Sequence, residues 1–358
     1  MDSHIVLLPG DGIGPEVVQA GQEVLETVAK IFGHRFTFET RLIGGAALDA
    51  SGQPLPPDTL AACRNGGAIL LGAVGGPRWD NPSARVRPEQ GLLAIRRELG
   101  LFANLRPVKV FDELRSCSPL RPELLQGVDL LIVRELTGGA YFGKPQGTER
   151  SEQGERAVDT MAYTDHEVRR IVRLACEIAQ RRRGKLCSID KANVLESSRL
   201  WRRIAIQTAA DFPGVALEHA LVDSAAMRLV SQPASFDVIV TENLFGDILS
   251  DEAAVLSGAL GLLPSASLGA KGPGLFEPVH GSAPDIAGRG IANPVGTILS
   301  VAMLLEYGLD LVSEARAVES AVKRVFQSGL RTADLKAANA VTTKAMTRAV
   351  TAALDELH

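Results

Sequence analysis

The chain has 358 residues, of which 46% are hydrophobic and 22% are charged, and its formal net charge is -4. A chain of this length is expected to form about two domains with a large buried core. The small negative charge argues against the basic surface that nucleic-acid binding requires, and no apolar run has the length of a membrane span. We therefore expect a globular protein that binds neither nucleic acid nor membranes.

The four cysteines and six histidines show no spacing that is typical of a metal motif. Neither a C-x-x-C pair nor an H-E-x-x-H motif is present, which argues against a zinc enzyme. Most of the cysteines lie in apolar runs, as buried reduced thiols do. Residues 1–4 also lack the basic start of a signal peptide. The sequence therefore predicts a cytoplasmic protein.

Strand-like and helix-like segments alternate along the chain. A short apolar run at residues 4–8 predicts a buried strand, and a helix pattern with a period near 3.6 follows at residues 17–31. Further strands are predicted at residues 36–43, 68–74, 129–133, 185–189, 217–222 and 236–240. Further helices are predicted at residues 57–65, 89–99, 166–182, 197–212, 294–309, 313–329 and 342–357. This alternation predicts an α/β fold with a mainly parallel sheet flanked by helices.

A glycine-rich turn joins the first strand to the first helix. Gly10, Gly12 and Gly14 have the spacing G-x-G-x-G, and Pro15 stands where the dinucleotide fingerprint of a Rossmann domain has its last glycine. No acidic residue could be assigned to the end of a second strand about twenty positions further on. We therefore do not expect a Rossmann fold, and a glycine turn of this kind is usually structural.

An acidic segment follows the strand predicted at residues 236–240. Asp247 and Asp251 are four residues apart, so a helix would place both carboxylates on one face, with roughly 5–6 Å between their Cβ atoms. Two like charges at that spacing destabilise an isolated helix unless a cation lies between them. The alternative is a solvated acidic first turn, which the helix dipole favours. Taken alone, the segment slightly favours that alternative.

Three arginines lie near the ends of predicted strands and helices. Arg96 is in the last turn of a helix, Arg106 is in the following strand, and Arg134 comes after another strand. Arginine binds carboxylates in a bidentate manner, so three converging arginines would suit a substrate with two carboxylates. Leu92 and Leu93 precede Arg96 by about one helical turn, so a small apolar pocket could adjoin the charged one. Individually, each arginine is more often a surface ion-pair partner.

Four short segments carry a family resemblance. They are residues 75–80 (GGPRWD), 101–107 (LFANLRP), 243–247 (NLFGD) and 280–285 (HGSAPD). In this order, and together with the turn at residues 10–15, they resemble the isocitrate/isopropylmalate dehydrogenase family of decarboxylating β-hydroxyacid dehydrogenases over essentially the whole chain. The resemblance implies the two-domain fold of that family. Residues 1–101 and 259–358 would form the first domain with the NAD site, and residues 102–258 the second domain with a dimer interface.

The residues before Arg96 bear on the substrate that the resemblance implies. The isocitrate branch of the family carries Ser and Asn near the substrate in this helix, whereas this chain has Glu89, Leu92 and Leu93. That difference implies an isopropyl group on the substrate, with Val194 close by. The expected reaction is the oxidative decarboxylation of 3-isopropylmalate with NAD⁺ to 4-methyl-2-oxopentanoate, CO₂ and NADH, in leucine biosynthesis.

The resemblance also implies catalytic and metal-binding roles. Tyr141 would be the general acid, and Lys191, at a strand end near cations that can lower its pKa, would be the general base in the partner subunit's site. Asp247 and Asp251, with Asp223 from the second subunit, would hold Mg²⁺ or Mn²⁺, which prefer oxygen ligands. Residues 144–163 would form an arm that two subunits of a homodimer exchange.

The cofactor site implied by the resemblance lies in the loops after the acidic segment, not at the glycine turn. Asp285 would accept hydrogen bonds from both ribose hydroxyls and so favour NAD⁺ over NADP⁺. The alternative for Asp285 is a cap on the turn after Pro284. The implied cofactor-binding residues are Ile13, Glu277, His280, Gly281, Ser282, Ala283, Pro284, Asp285, Ile286 and Asn293.

Two other functions are open at this point. One is a tartrate or broad alkylmalate dehydrogenase of the same family, which a comparison of substrates would separate. The other is a metal-dependent nucleotide-binding protein without redox activity. Such a protein would keep the loop at residues 280–285 but has no use for Lys191, Tyr141 and the three arginines.

Overall fold

A computed structural model describes residues 1–79 and 86–357, so Asp80, the last residue of the GGPRWD segment, lies outside the described residues. The strands are β1 (Asp2–Gly10), β2 (Arg35–Thr40), β3 (Ala68–Ala73), β4 (Leu101–Lys109), β5 (Asp129–Glu135), β6 (Gly147–Ser151), β7 (Gly154–Val158), β8 (Lys185–Asp190), β9 (Ala216–Leu221), β10 (Val238–Thr241), β11 (Pro264–Gly269) and β12 (Leu275–Pro278). The α-helices are α1 (Gly14–Phe32), α2 (Gly44–Ser51), α3 (Pro57–Asn65), α4 (Glu89–Glu98), α5 (Asp165–Arg181), α6 (Glu196–Ala209), α7 (Val222–Ser231), α8 (Asn243–Ala254), α9 (Val295–Met303), α10 (Val312–Gln327) and α11 (Thr343–Leu357). None of the helices in the described ranges is long and apolar enough to cross a membrane.

The chain divides into two compact units, and unit 1 comprises Met1–Leu101, Phe111–Pro119 and Ser257–His358. Its strands lie in the order β2-β1-β3-β12-β11, parallel except for β11, which is antiparallel to β12. This order differs from the 3-2-1-4-5-6 order of a Rossmann domain. The apolar residues of β1 and β3 are buried in consecutive runs, as in parallel strands that helices cover on both faces.

Unit 2 comprises Phe102–Val110 and Leu120–Leu256. Its strands lie in the order β4-β5-β10-β8-β9, and only the β4–β5 pair is antiparallel. The strands β6 and β7 form a separate antiparallel hairpin with exposed side chains inside the segment predicted as an arm. The prediction of an α/β fold with a mainly parallel sheet flanked by helices is thus confirmed.

The two compact units differ in part from the predicted domains. The sequence placed all of residues 102–258 in the second domain, but Phe111–Pro119 and residues 257–258 belong to unit 1. The ring of Phe111 packs against that of Phe326 with 5.0 Å between centroids, and the guanidinium of Arg331 donates to the carbonyl of Glu113 at 2.6 Å. These contacts join residues more than 200 positions apart, so local sequence patterns could not predict them.

The helix α2 and the antiparallel pair β11–β12 were not predicted from the sequence. The helix α2 starts with two glycines, which have poor helix propensity, and it has no capping side chain of its own. Instead, the carboxylate of Asp11 accepts hydrogen bonds from the backbone N–H groups of Gly45 (2.8 Å) and Ala46 (2.7 Å). An N-terminal cap supplied from 34 residues upstream leaves no local sequence signal.

Candidate active site

The helix α8 begins directly after β10 and carries the two predicted carboxylates. Its N-cap is Glu242, whose carboxylate accepts hydrogen bonds from the backbone N–H groups of Leu244 (3.0 Å) and Phe245 (2.6 Å). Burial raises the pKa of Glu242, and the capping bonds oppose that rise. Asp247 and Asp251 follow one turn apart, as the sequence predicts. The cap therefore fixes where the carboxylate-bearing face of α8 starts.

Two of the three predicted arginines meet at Asp247. The Nη1 atom of Arg134 donates to Oδ1 of Asp247, and Nη2 of Arg106 lies 3.8 Å from the same oxygen. Nη1 of Arg106 also lies 3.0 Å from Oδ1 of Asp251, whose side chain is 70% exposed. Two guanidinium groups and two carboxylates thus form one charged cluster within unit 2.

Two buried amides hold the arginines in place. Oδ1 of Asn243 accepts from Nε (3.1 Å) and Nη2 (2.8 Å) of Arg134, and Oδ1 of Asn104 accepts from Nε of Arg106 at 2.9 Å. Asn104 stands opposite Arg134 in the register of β4 and β5, so the antiparallel pairing brings both arginines to one place. We did not predict either amide from the sequence. Their only signal was their position in the LFANLRP and NLFGD segments.

Tyr141 lies on a 3₁₀ turn (Gly139–Tyr141) beside the same cluster. Its hydroxyl donates to Oδ2 of Asp247 at 2.7 Å. Burial and this bond to a carboxylate raise the pKa of Tyr141, so the phenol stays protonated at neutral pH. It is therefore equipped to donate a proton.

Lys191 and Asp223 form a second charged pair in unit 2. The ammonium of Lys191 donates to Oδ1 of Asp223 at 2.6 Å, and this bond lowers the pKa of Asp223. Over residues 1–79 and 86–357, no three His, Cys, Asp or Glu side chains are grouped so that they could hold a metal ion. Within one chain, two of the three predicted metal ligands thus share a helix face, while Asp223 contacts Lys191. Val194, three residues after Lys191, is exposed.

Arg96 belongs to unit 1 and has a different partner. Its Nη2 donates to Oε1 of Glu277 on β12 at 2.7 Å, and both side chains are largely buried. Its Nε is buried and has no hydrogen-bond partner among the described residues. Nearby on α4, Leu92 packs against a core cluster whereas Leu93 is exposed. Glu89 is the first residue of this helix. Its Oε1 atom lies so close to Gly75 that a Cβ atom added there would be only 2.6 Å away.

The glycine turn and the predicted cofactor loop are joined by backbone contacts in unit 1. The N–H of Ile13 donates to the carbonyl of Ser282 at 2.8 Å. Gly12 has a positive φ of 60°, and a Cβ there would overlap the same carbonyl. The side chain of Ile13 packs with Ala292 and, from the loop, with Ala283 and Ile286. The turn thus supports the predicted cofactor loop.

His280 and Asn293 differ in whether their side-chain atoms are available to a ligand. Nδ1 of His280 bonds the carbonyl of Gly281 at 2.9 Å, so Nδ1 carries the proton and Nε2 is an acceptor. Burial lowers the pKa of His280, and its buried Nε2 has no partner among the described residues. The amide of Asn293 is used internally, because it donates to Asp334 and accepts from the N–H of Val295, each at 3.0 Å. Gly281, Pro284 and Asp285 are exposed.

Asp11 is a further residue that we did not predict. Besides the N–H groups of Gly45 and Ala46, its carboxylate accepts from the N–H of Gly75 at 2.8 Å. The side chain is buried, and it connects the glycine turn, α2 and the start of the GGPRWD segment. Its signal in the sequence was its place inside the GDGIGP turn.

Comparison with known proteins gives one consistent family. A family model described as isocitrate/isopropylmalate dehydrogenase matches residues 4–350. The 3-isopropylmalate dehydrogenase of Anaeromyxobacter dehalogenans (strain 2CP-C) is 60% identical over 335 residues, covering 94% of this chain and 95% of that protein. That of Bacillus subtilis (strain 168) is 58% identical over 356 residues, covering 99% and 98%. Among solved structures, the isocitrate dehydrogenase of Methylococcus capsulatus is 36% identical with a TM-score of 0.87, covering 98% of this chain and 99% of that one.

The Asp11 contacts generate a stability prediction. In Asp11→Asn an NH₂ group replaces one carboxylate oxygen, so at least one of the three backbone donors loses its acceptor. We expect the free energy of unfolding in urea to fall by about 1–3 kcal/mol. The control is Asp2→Asn, because Asp2 is exposed and its loss should change stability by less than about 0.5 kcal/mol. Equal unfolding midpoints for the two variants would show that Asp11 is not a structural connection.

Proposed function

Because the chain belongs to the isocitrate/isopropylmalate dehydrogenase family, we propose that it oxidatively decarboxylates 3-isopropylmalate, a step of leucine biosynthesis. The products are 4-methyl-2-oxopentanoate, CO₂ and NADH. The observation that carries the proposal is the convergence of Arg106, Arg134 and the protonated phenol of Tyr141 on Asp247. This arrangement provides cations for substrate carboxylates and a proton donor beside them.

Each catalytic side chain has a defined task in this reaction. Arg96, Arg106 and Arg134 bind the two carboxylates of the substrate. Lys191, in its neutral amine form, accepts the proton of the C2 hydroxyl as that carbon is oxidised. After CO₂ leaves, Tyr141 donates a proton to C3. When bound, NAD⁺ supplies the hydride acceptor and Mg²⁺ or Mn²⁺ supplies a Lewis acid, as in the rest of the family.

The donor set of α8 fits a hard divalent cation. Asp247 and Asp251 offer carboxylate oxygens on one helix face, and the high exposure of Asp251 leaves its oxygens accessible. We propose that Asp223 of a second subunit completes the site, and that Lys191 of that subunit lies beside it. This arrangement accounts for the absence of a third carboxylate grouped with Asp247 and Asp251 among residues 1–79 and 86–357 of one chain.

Unit 2 carries an apolar surface that supports a homodimer. Met227 and Val230 on α7 and Ile248 on α8 are large, exposed apolar side chains, with Met227 66% and Ile248 58% exposed. The helices α7 and α8 pack against each other, so they can present these side chains together. A second copy of the chain offers the same apolar residues, as a two-fold symmetric interface requires. We propose that the arm at residues 144–163 is exchanged in this dimer through its β6–β7 hairpin, while Tyr163 at its end stays against its own chain.

Mixed dimers test the shared metal site. If Asp247→Asn and Asp223→Asn chains are coexpressed with different tags, a mixed dimer contains one site with all its native carboxylates. We expect about half of the parent activity from it, and less than about 1% from either mutant homodimer. The matched control mixes Asp247→Asn with Asp251→Asn chains, where both sites stay defective. An inactive first mixture, or a monomeric parent protein, would contradict the shared site.

The substrate's isopropyl group is proposed to contact Leu92, Leu93 and Val194, with Glu89 near the bound substrate. Leu93 and Val194 are exposed, so both are accessible to a ligand. Tartrate, the substrate in one alternative hypothesis, has no apolar group that could contact these side chains. The other alternative hypothesis, a nucleotide-binding protein without redox activity, gives Tyr141 no role.

Substrate comparison tests this assignment. Burying three carbons contributes roughly 2 kcal/mol, so kcat/KM for 3-isopropylmalate should exceed that for malate by about thirtyfold. Isocitrate should be used less well still, because its third carboxylate would be buried without a partner. Leu93→Ala should reduce the preference over malate, whereas Leu42→Ala, at another exposed leucine of unit 1, should not. Comparable kcat/KM for isocitrate and 3-isopropylmalate would overturn the proposed substrate.

We propose that unit 1 carries the NAD site. The buried Nε2 of His280 can accept a hydrogen bond from the adenine amino group, which fits an adenosine ligand. The exposed carboxylate of Asp285 is available to the ribose hydroxyls, whereas it would repel a 2′-phosphate. Ile286, which follows it, is apolar and offers no cation to a phosphate. NAD⁺ should therefore be preferred to NADP⁺.

The cofactor preference is tested by exchanging these two residues. In Asp285→Lys with Ile286→Tyr, we expect the ratio of kcat/KM for NAD⁺ to that for NADP⁺ to fall by at least about tenfold, because a phosphate gains a cation and a hydroxyl. Asp355→Lys, at an exposed aspartate of α11, makes the same charge change and should leave the ratio unchanged. An unchanged ratio in the double variant, or equal use of both cofactors by the parent, would exclude Asp285 as the discriminator.

We also propose a cytoplasmic location. The thiols of Cys63, Cys117, Cys176 and Cys187 are all free and buried, as in a reducing compartment. Cell fractionation checks this, and activity confined to a secreted or periplasmic fraction would contradict it.

A further inference from the structure

The turn that carries Tyr141 rests on the side chain of Tyr163. A Cβ on Gly138 would lie 2.5 Å from Cε1 of Tyr163, and one on Gly139 would lie 2.5 Å from its hydroxyl oxygen. The N–H of Gly139 also donates to the carbonyl of Ala162 at 3.0 Å. The two glycines therefore let the turn lie directly on the Tyr163 ring.

The hydroxyl of Tyr163 is bonded to the first residues of α8. It donates to Oε2 of Glu242 at 3.2 Å and accepts from the backbone N–H of Asn243 at 2.9 Å. Burial raises the pKa of Tyr163, so its phenol stays protonated and can keep donating. Both partners are buried, so water cannot readily replace the hydroxyl.

Asn243 extends this connection to the charged cluster. Its Nδ2 donates to the carbonyl of Gly138 at 3.2 Å, while its Oδ1 accepts both bonds from Arg134. Tyr163 thus holds the Tyr141 turn from one side through its ring and from the other through Asn243. The amide of Asn243 therefore also fixes Arg134, which donates to Asp247.

We propose that Tyr163 is a positioning residue for Tyr141, acting through the Gly138–Tyr141 turn and the N-terminus of α8. The inference rests on the proposed role of Tyr141 as proton donor. Proton transfer requires the donor oxygen within hydrogen-bond reach of its acceptor, and a displacement of about 1 Å can reduce the rate on the order of a hundredfold. Tyr163 does not contact the substrate in this scheme, and its effect on proton donation is exerted through Tyr141.

A double-mutant cycle tests the inference. Tyr163→Phe removes the hydroxyl and keeps the ring, so we expect kcat to fall about tenfold when Tyr141 is present. In the Tyr141→Phe background the same change should lower kcat by less than about twofold, because there is no donor left to position. The control is Trp201→Phe. Trp201 packs edge-on against the Tyr163 ring at 5.7 Å and bonds Ser188, so its loss should lower the melting temperature but leave kcat within about twofold in both backgrounds.

Thermal unfolding of Tyr163→Phe separates a positioning effect from a folding defect. We expect this variant to unfold in one cooperative transition well above the assay temperature, so that its loss of kcat is measured on folded protein. Equal losses of kcat from Tyr163→Phe in both backgrounds, or no loss in either, would overturn the positioning role. A Tyr141→Phe variant with the kcat of the parent would instead overturn the role of Tyr141, and the inference with it.

Discussion

The carboxylate of Asp247 receives bonds from Arg134 and Tyr141, and the guanidinium of Arg106 lies 3.8 Å away. These three groups come from separate strands and turns, and Asp247 is the acceptor that they share. Without its negative charge, two guanidinium groups in a partly buried place would repel each other. The arrangement in turn depends on α8 starting where the Glu242 cap and Asn243 hold it. A single helix terminus thereby determines the geometry of the charged cluster.

Local patterns in the sequence predicted those parts of this cluster that depend on neighbouring residues. The four-residue spacing of Asp247 and Asp251 required a shared helix face, and the helix α8 provides it. The amides could not be predicted in this way. Asn104 meets the arginines only because β4 pairs with β5 in a register that sets it opposite Arg134, and register is a long-range property. Tyr163 and Asp11 were missed for the same reason, because each bonds backbone groups that lie far away in the sequence.

The prediction of the fold shows the same difference between elements set by neighbouring residues and elements that depend on distant ones. The strongly periodic helix α5 was predicted to within about a residue, because its apolar face lies inside the segment and its capping residue comes directly before it. In α5, Thr164 and Glu167 form a capping box that ends the preceding loop. In contrast, α2 depends on Asp11, and residues 111–119 join unit 1 through Phe326 and Arg331. Where stabilisation comes from a distant part of the chain, composition and periodicity carry no trace of it.

The charges of the cluster also bear on how the proposed reaction is organised. Arg106 and Arg134 carry two positive charges, and Asp247 and Asp251 carry two negative charges, so the cluster is neutral without ligands. A substrate with two carboxylates would have to compete with both aspartates for the same guanidinium groups. A divalent cation bound to the aspartates would neutralise them and leave the two positive charges of the arginines for the two carboxylates. Binding of the cation and of the substrate should therefore favour each other, because each lowers the electrostatic cost of the other.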